Sequence, residues 1–296
     1  LTELKKGYRD YSPEEVYYFI LHHLFHNSIA DFSNENIFKS KTGFKDKDIW
    51  KMLYNFQKDG VMGAIEKIER YGGCIIADSV GLGKTFEALA VIKYYELRND
   101  RVLVICPKKL RDNWTVYTQN DKRNILLNDR FNYDVLSHTD LTRVRGMSGD
   151  IDLATINWSN YDLVVIDESH NFRNNYPSKS EMTRYARMMN EVIKKGVKTK
   201  LLMLSATPVN NRMNDLKNQI LFISEGEDKV FADEGIDSIS NVMKQAQKQF
   251  SDWSKSSNRN KNSLFDLLDN RYFKLLDMLT IARSRKHIGK YYDSAD

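Results

Sequence analysis

Five short apolar runs recur along this chain, and each closes on a polar or turn-forming residue. They are the run through Cys74-Ile75-Ile76-Ala77 that ends at Asp78, Arg101 to Cys106 before Pro107, Tyr133 to His138, the run from Tyr161 that ends in Asp167-Glu168, and the run from Lys200 that ends in Ser205 to Pro208. Short, largely apolar runs of this length, bounded by turn signals, predict buried strands. The spacing becomes helical before the first run, over Val61 to Arg70, and again after it, from Phe86 to Ile92. Strands alternating with helices predict an α/β sheet. From Asp215 onward helical spacing dominates, broken by the polar stretch Ser256 to Ser263. The flanking segments, Val242 to Trp253 and Leu264 to Ile281, predict a long helical hairpin. Leu264, Leu267, Leu268, Leu275, Leu276 and Leu279 form its inward stripe.

Near the start, Ser12-Pro13-Glu14-Glu15 opens a helix with an N-cap, a proline at the first helical position and a capping-box glutamate. Val16, Phe19, Ile20 and Leu24 share one face of it. His22 and His26 stand four apart with no third ligand in register, so they read as surface or packing residues. Residues 47 to 53 predict a short helix with Ile49, Trp50 and Leu53 turned inward.

The first run carries the chemistry that organises the rest. Asp78-Ser79-Val80-Gly81-Leu82-Gly83-Lys84-Thr85 follows a strand and precedes a helix. That layout is a phosphate cradle: loop and helix N-terminal amides converge on a polyphosphate, the Lys84 ammonium reaches the outer phosphates, and the Thr85 hydroxyl ligates Mg2+. The general pattern begins with glycine, and here Asp78 occupies that place.

Other candidates lie at the ends of the later runs. Asp167 and Glu168 place two carboxylates where an open α/β sheet gathers its ligands, Asp167 to hold Mg2+ and Glu168 to orient and deprotonate water. Ser205 and Thr207, flanking Ala206, supply hydroxyls able to sense that acidic strand and a bound nucleotide; a plain turn before Pro208 is the simpler reading. Lys108, Lys109 and Arg111 form a basic cluster, with Trp114 nearby, suited to polymer phosphates or to a solvated helix start. Gln57 carries both a donor and an acceptor for an adenine edge. Arg283-Ser284-Arg285-Lys286 reads as solvated surface.

Composition narrows the class without naming the partner. Of 296 residues, 41% are apolar, enough for a substantial core, while 45 basic against 40 acidic residues permit a polyanion partner without demanding one. The two cysteines, Cys74 and Cys106, lie within apolar runs, which predicts packed, reduced thiols and an intracellular, cytoplasmic placement rather than a disulfide framework or zinc site. No run approaches a membrane span, so no membrane partner is expected. The first residue is Leu1 rather than Met, which predicts a segment of a longer protein.

Together these motifs resemble the Snf2-type ATPases of helicase superfamily 2. The resemblance rests on Asp78 to Thr85, Pro107-Lys108 with Trp114, Asp167-Glu168-Ser169-His170, and Leu204 to Pro208 with Asn211, in the family's order across residues 50 to 286. It implies a RecA-like parallel sheet flanked by helices, with a C-terminal helical hairpin as a protrusion. It also implies ATP and Mg2+ as cofactors and double-stranded DNA as the track. By the same match Asp78, Gly81, Leu82, Gly83, Lys84 and Thr85 hold nucleotide, Gln57 reads adenine, Asp167 and Glu168 serve metal and water, and His170 with Ser205, Ala206 and Thr207 couples hydrolysis to DNA. The family's aspartate at the loop's first position matches Asp78. Ser79-Val80 and Asn55-Phe56 depart from its commoner residues.

The implied organisation is an accessory helical region over 1–48, an ATP-binding lobe over 49–214, and a helical protrusion over 215–296 leading to a second RecA-like lobe. An arginine from that lobe contributes roughly 10^3 to 10^5 in rate, so this chain alone is expected to bind ATP but hydrolyse it poorly. Two other readings stand beside this one: an RNA or single-strand helicase of the same superfamily, and a nucleotide-gated interaction module that does not hydrolyse.

Overall fold

The computed structural model describes residues 43–172, 183–206, 216–256, 261–283, 285 and 288. The helix expected from Ser12, His22 and His26, and the positions Thr207, Pro208 and Asn211, lie outside the described residues.

Helix α1 (Asn55–Tyr71) begins earlier than the apolar spacing predicted, because Gln57 closes a capping box: its Oε1 accepts from the Tyr54 amide at 3.0 Å. It ends at Gly72, whose φ of 85° returns its N–H to the Ile68 carbonyl. Strand β1 (Gly73–Ile76) follows, every residue buried. After the phosphate loop, helix α2 (Lys84–Glu96) buries all residues from Glu87 to Tyr95, so it is covered nearly all round rather than on one stripe. Strands β2 (Val102–Cys106), β3 (Asp134–Ser137), β4 (Leu163–Asp167) and β5 (Lys200–Leu204) complete the five expected runs. Short helix α3 (Arg111–Thr115) stands after β2. Ile49 and Leu53 are buried as expected, with Trp50 packed against them at the edge of the core.

The C-terminal helices differ from the simple hairpin. The first limb is α4 (Lys217–Ile223) and then α5 (Ile239–Lys255), which buries Val242, Met243, Ala246, Phe250 and Trp253. The second limb is broken into α6 (Lys261–Leu267) and α7 (Asn270–Leu279), because Asp269 caps the new helix by accepting from the Arg271 amide at 2.8 Å. Leu267 therefore leaves the stripe and is 48% exposed, while Leu264, Leu268, Leu275, Leu276 and Leu279 are buried. Thr280–Ile281 are not helical either. They form a sixth strand, β6, parallel to β1, pairing Ile75 with Thr280 and Ile76 with Ile281.

The sheet is wholly parallel, in the order β3-β2-β4-β5-β1-β6. Crossover helices cover its faces, which is why its strands lack polar alternation. All six carboxyl ends lie along one edge, and each strand delivers a residue there: Asp78, Pro107, His138, Glu168, Ser205 and Arg283. Functional groups in such sheets collect at this edge. Among the described residues, no helix is long and apolar enough to cross a membrane.

Candidate active site

The phosphate loop is built from backbone conformations that favour glycine. Gly81 and Gly83 hold φ of 82° and 83°, and Gly83 stands at the N-cap of α2. Among the described residues, the amides of Gly81, Leu82, Gly83, Lys84 and Thr85 have no protein acceptor. A set of donors at a helix start is a cradle for phosphate oxygens. The Lys84 ammonium rests on the loop's own carbonyls, 2.7 Å from Asp78 O and 3.4 Å from Ser79 O. Burial pulls its pKa below the ordinary lysine value, against the charges of Asp78, Glu168, Glu87 and Asp167.

Gln57 is buried, and both ends of its amide are engaged by backbone: Oε1 with Tyr54 and Nε2 with the Leu82 carbonyl at 3.0 Å. Its contact here is therefore with the loop rather than with an open adenine pocket. Asp78 is fully buried, and its carboxylate is turned to Arg283 instead of the cradle.

At the end of β4 the Asp167 carboxylate is oriented from both sides. The Trp114 indole N–H donates to Oδ2 at 3.0 Å, and the Glu168 amide donates to Oδ1 at 2.9 Å. Burial raises its pKa, opposed by the Trp114 hydrogen bond. The Asp167 carbonyl accepts from His138 Nε2 at 2.9 Å, which fixes the proton on that nitrogen. Burial depresses the His138 pKa to about 4, so this ring is neutral at physiological pH. The chain then turns at Glu168, a non-glycine residue at φ 51°. Asn171 secures the turn by donating from Nδ2 to the Glu168 carbonyl at 2.9 Å.

His170 links two of the expected elements. Its Nδ1 lies 3.2 Å from Glu168 Oε2 and 3.3 Å from Ser205 Oγ, joining the ends of β4 and β5. The hydrogen bond from His170 lowers the Glu168 pKa, with the charges of Lys84 and Lys109 acting in the same direction. Behind them, Ser169 Oγ donates to Gln219 Oε1 at 2.7 Å, both side chains wholly buried. Ala206 follows Ser205 at the same edge.

The basic cluster divides. Lys108 and Lys109 are exposed at the end of β2. Arg111, expected to meet a polymer phosphate, is instead bonded to Ser148, Nη1 to Oγ at 2.5 Å and Nη2 to the carbonyl at 2.9 Å, with Asp140 4.0 Å away. Those bonds turn two of its five N–H donors inward. Arg283, expected on the solvated surface, is buried between Asp78 and Glu87. The contacts of Trp114, His138 and Gln219 join positions far apart in the chain, and no local pattern marks them. One signal pointed to Arg283: Glu87 inside an apolar helical run calls for a buried cation.

Both cysteines are unbridged and buried, and burial pushes each thiol up to about 12. Hard oxygen donors on Thr85 and Asp167 suit Mg2+, and the cradle amides suit phosphate, so the residues present fit a magnesium nucleotide.

A family model described as the SNF2-related domain matches residues 56–233. The chain is 30% identical over 169 residues to the uncharacterized ATP-dependent helicase YqhH of Bacillus subtilis, covering 55% of this chain and 28% of that protein. It is 27% identical over 187 residues to the DNA annealing helicase and endonuclease ZRANB3 of Mus musculus, covering 57% of this chain and 16% of that protein. It thus spans less than a third of either relative. The Sulfolobus solfataricus SWI2/SNF2 ATPase core domain superposes with a TM-score of 0.50 at 19% identity, over 81% of this chain and 44% of that chain, a likeness of fold.

Proposed function

This chain belongs to the SNF2-related domain family, and from that premise we propose that it is the ATP-binding lobe of a DNA-dependent ATPase that couples hydrolysis to movement along double-stranded DNA. The observation that carries the reading is the Glu168-His170-Ser205 linkage. It joins the residue suited to activate water to the neighbouring strand, on the same edge as the phosphate cradle.

Each residue has a separable role. The loop amides and Lys84 bind and orient phosphates, while Thr85 and Asp167 hold Mg2+. The magnesium nucleotide, when bound, supplies the transferable phosphoryl group and the charge that the site must neutralise. Trp114 keeps the Asp167 carboxylate in one orientation. Glu168, kept ionised by His170, accepts a hydrogen bond from water and then its proton. Gln57 acts on nucleotide binding through the Leu82 carbonyl it holds. Ser205, Ala206 and Thr207 pass the state of the site to bound DNA, and Lys108 and Lys109 meet its phosphates. A second RecA-like lobe in a longer parent supplies the arginine that this reaction class uses, so hydrolysis by this chain alone is slow.

Steady-state ATP hydrolysis tests the reading in this chain and in a parent containing the second lobe, each with duplex DNA, single-stranded DNA, RNA or no polymer. Stimulation by duplex DNA in the parent alone is the expected result. RNA preference overturns the track, and ATP binding without hydrolysis in the parent turns the protein into a nucleotide-gated interaction module.

A further inference from the structure

The segment that follows α7 returns to the phosphate loop and grips it. β6 stops at Ile281, yet backbone pairing continues beyond it: the Ala77 N–H donates to the Ile281 carbonyl at 2.6 Å and the Ser79 N–H to the Arg283 carbonyl at 3.1 Å. The Arg283 N–H in turn donates to Asp78 Oδ1 at 2.7 Å. Its guanidinium meets the same carboxylate, Nε lying 3.2 Å from Oδ1 and 3.0 Å from Oδ2, and Nη2 2.5 Å from Oδ2. It also donates to Glu87 Oε1 and to the Phe56 carbonyl, and lies 5.3 Å from the centre of the Phe56 ring. Further along, Arg285 Nη2 donates to the Val80 carbonyl at 3.3 Å.

Every partner of Arg283 belongs to the nucleotide apparatus. Asp78 opens the loop, Glu87 lies in the first turn of α2, and Phe56 adjoins Gln57, whose amide holds Leu82. The space is built for a guanidinium: a Cβ at Gly60 would collide with it. A planar fork reaches the Asp78 carboxylate, one oxygen of Glu87 and the Phe56 carbonyl at once, which a lysine ammonium on a flexible stem does not reproduce.

We propose that Arg283 is a positioning residue for the phosphate loop, and that nucleotide occupancy of the loop and docking of the strap at residues 281–283 are thermodynamically coupled. The inference rests on the nucleotide reading above. On this account Asp78 stands where the general loop pattern has glycine because it is the strap's receptor. Loop and strap share backbone hydrogen bonds and a buried ion-pair set, so a ligand that orders one orders the other. Reciprocity follows: whatever pulls the strap away weakens nucleotide binding by the same factor. The strap thereby reports the loop's state to whatever the chain leads to beyond it.

Hydrogen exchange of the 296-residue chain with and without saturating MgADP tests this, alongside MgADP affinity. In the unaltered chain, MgADP slows exchange both in residues 79–85 and in residues 281–283. In Arg283→Lys, MgADP binds about tenfold more weakly, a coupling of ordinary size, and protects the loop without protecting the strap. MgADP binding to the unaltered chain with no change in strap exchange overturns the coupling and leaves the nucleotide reading intact. Equal MgADP affinity in Arg283→Lys also overturns it. Failure of the unaltered chain to bind MgADP overturns the nucleotide reading and the coupling with it. Because the first comparison uses no variant, it does not depend on whether Arg283→Lys folds.

Discussion

At the end of β1, Asp78 is wholly buried against Arg283; at the end of β4, Asp167 has an indole N–H and a backbone amide as partners and no cation bonded to it among the described residues. Both aspartates close apolar runs on the same edge of one sheet, and in sequence the two strand ends look alike. Their surroundings assign opposite tasks. The Arg283 guanidinium is held charged although burial works against it, because Asp78 and Glu87 outweigh that cost. Asp78 is thereby neutralised and serves the fold. Asp167 is oriented by neutral donors, which steer a carboxylate without cancelling its charge, and so keeps its capacity for a metal. An acid at the end of a buried strand is therefore not by itself a catalytic signal. What faces it decides.

The comparison is broken most forcefully at β4. Glu168→Gln keeps the shape of the side chain and removes the base, so DNA-stimulated hydrolysis in the parent should fall by roughly 10^2 to 10^4, with nucleotide binding retained. Retained hydrolysis would show that another group activates the water. At β1 the expected loss is in stability. Arg283→Met leaves the buried Asp78 carboxylate without its cation and should cost about 3–5 kcal/mol by urea denaturation of the chain, a loss that a surface arginine would not produce.

A smaller effect sharpens the β4 side. Trp114→Phe preserves most of the packing but deletes the N–H that orients Asp167, and should weaken the Mg2+ dependence of nucleotide binding by roughly tenfold, measured by titration with a fluorescent ATP analogue. Smaller still is a pH effect at β1. Burial pushes the Glu87 carboxyl up to about 8 from its ordinary value of 4.5, with the Arg283 charge opposing the rise and Asp78's charge adding to it. Between those two values the folded chain holds more protons than the unfolded one, so this group's contribution falls as pH rises through the window and levels off above it. Glu87→Gln should flatten that part of the stability profile in thermal melts run from pH 5 to 9. An unchanged profile would show that Glu87 is ionised throughout.

Local chemistry made much of this molecule readable before any coordinates. The five strands, the phosphate loop and the Asp167-Glu168 pair are written in consecutive residues, where apolar runs and glycines act over a few positions. Long-range pairings were not readable in the same way. Arg283 meets Asp78 across 205 positions, and Arg-Ser-Arg-Lys at 283–286 has the look of an exposed patch. The apolar spacing predicts a helix through Ile281, whereas Thr280 and Ile281 complete the sheet beside β1. Leu267 fits the leucine stripe until Asp269 restarts the helix and shifts its phase. Arg111 reads as one of a basic cluster, and its link to Ser148, 37 positions away, is not visible in the neighbouring residues.

The most direct test of the contrast between the two aspartates is nucleotide affinity of Asp78→Asn and Asp167→Asn, each with and without Mg2+, alongside a thermal melt. Asp167→Asn should abolish the gain in affinity that Mg2+ brings while leaving the melt unimpaired. Asp78→Asn should lower the melting temperature and weaken binding equally in both conditions, leaving the Mg2+ gain unchanged. A lost Mg2+ gain in Asp78→Asn, or a preserved one in Asp167→Asn, would contradict the division of labour between the two strand ends.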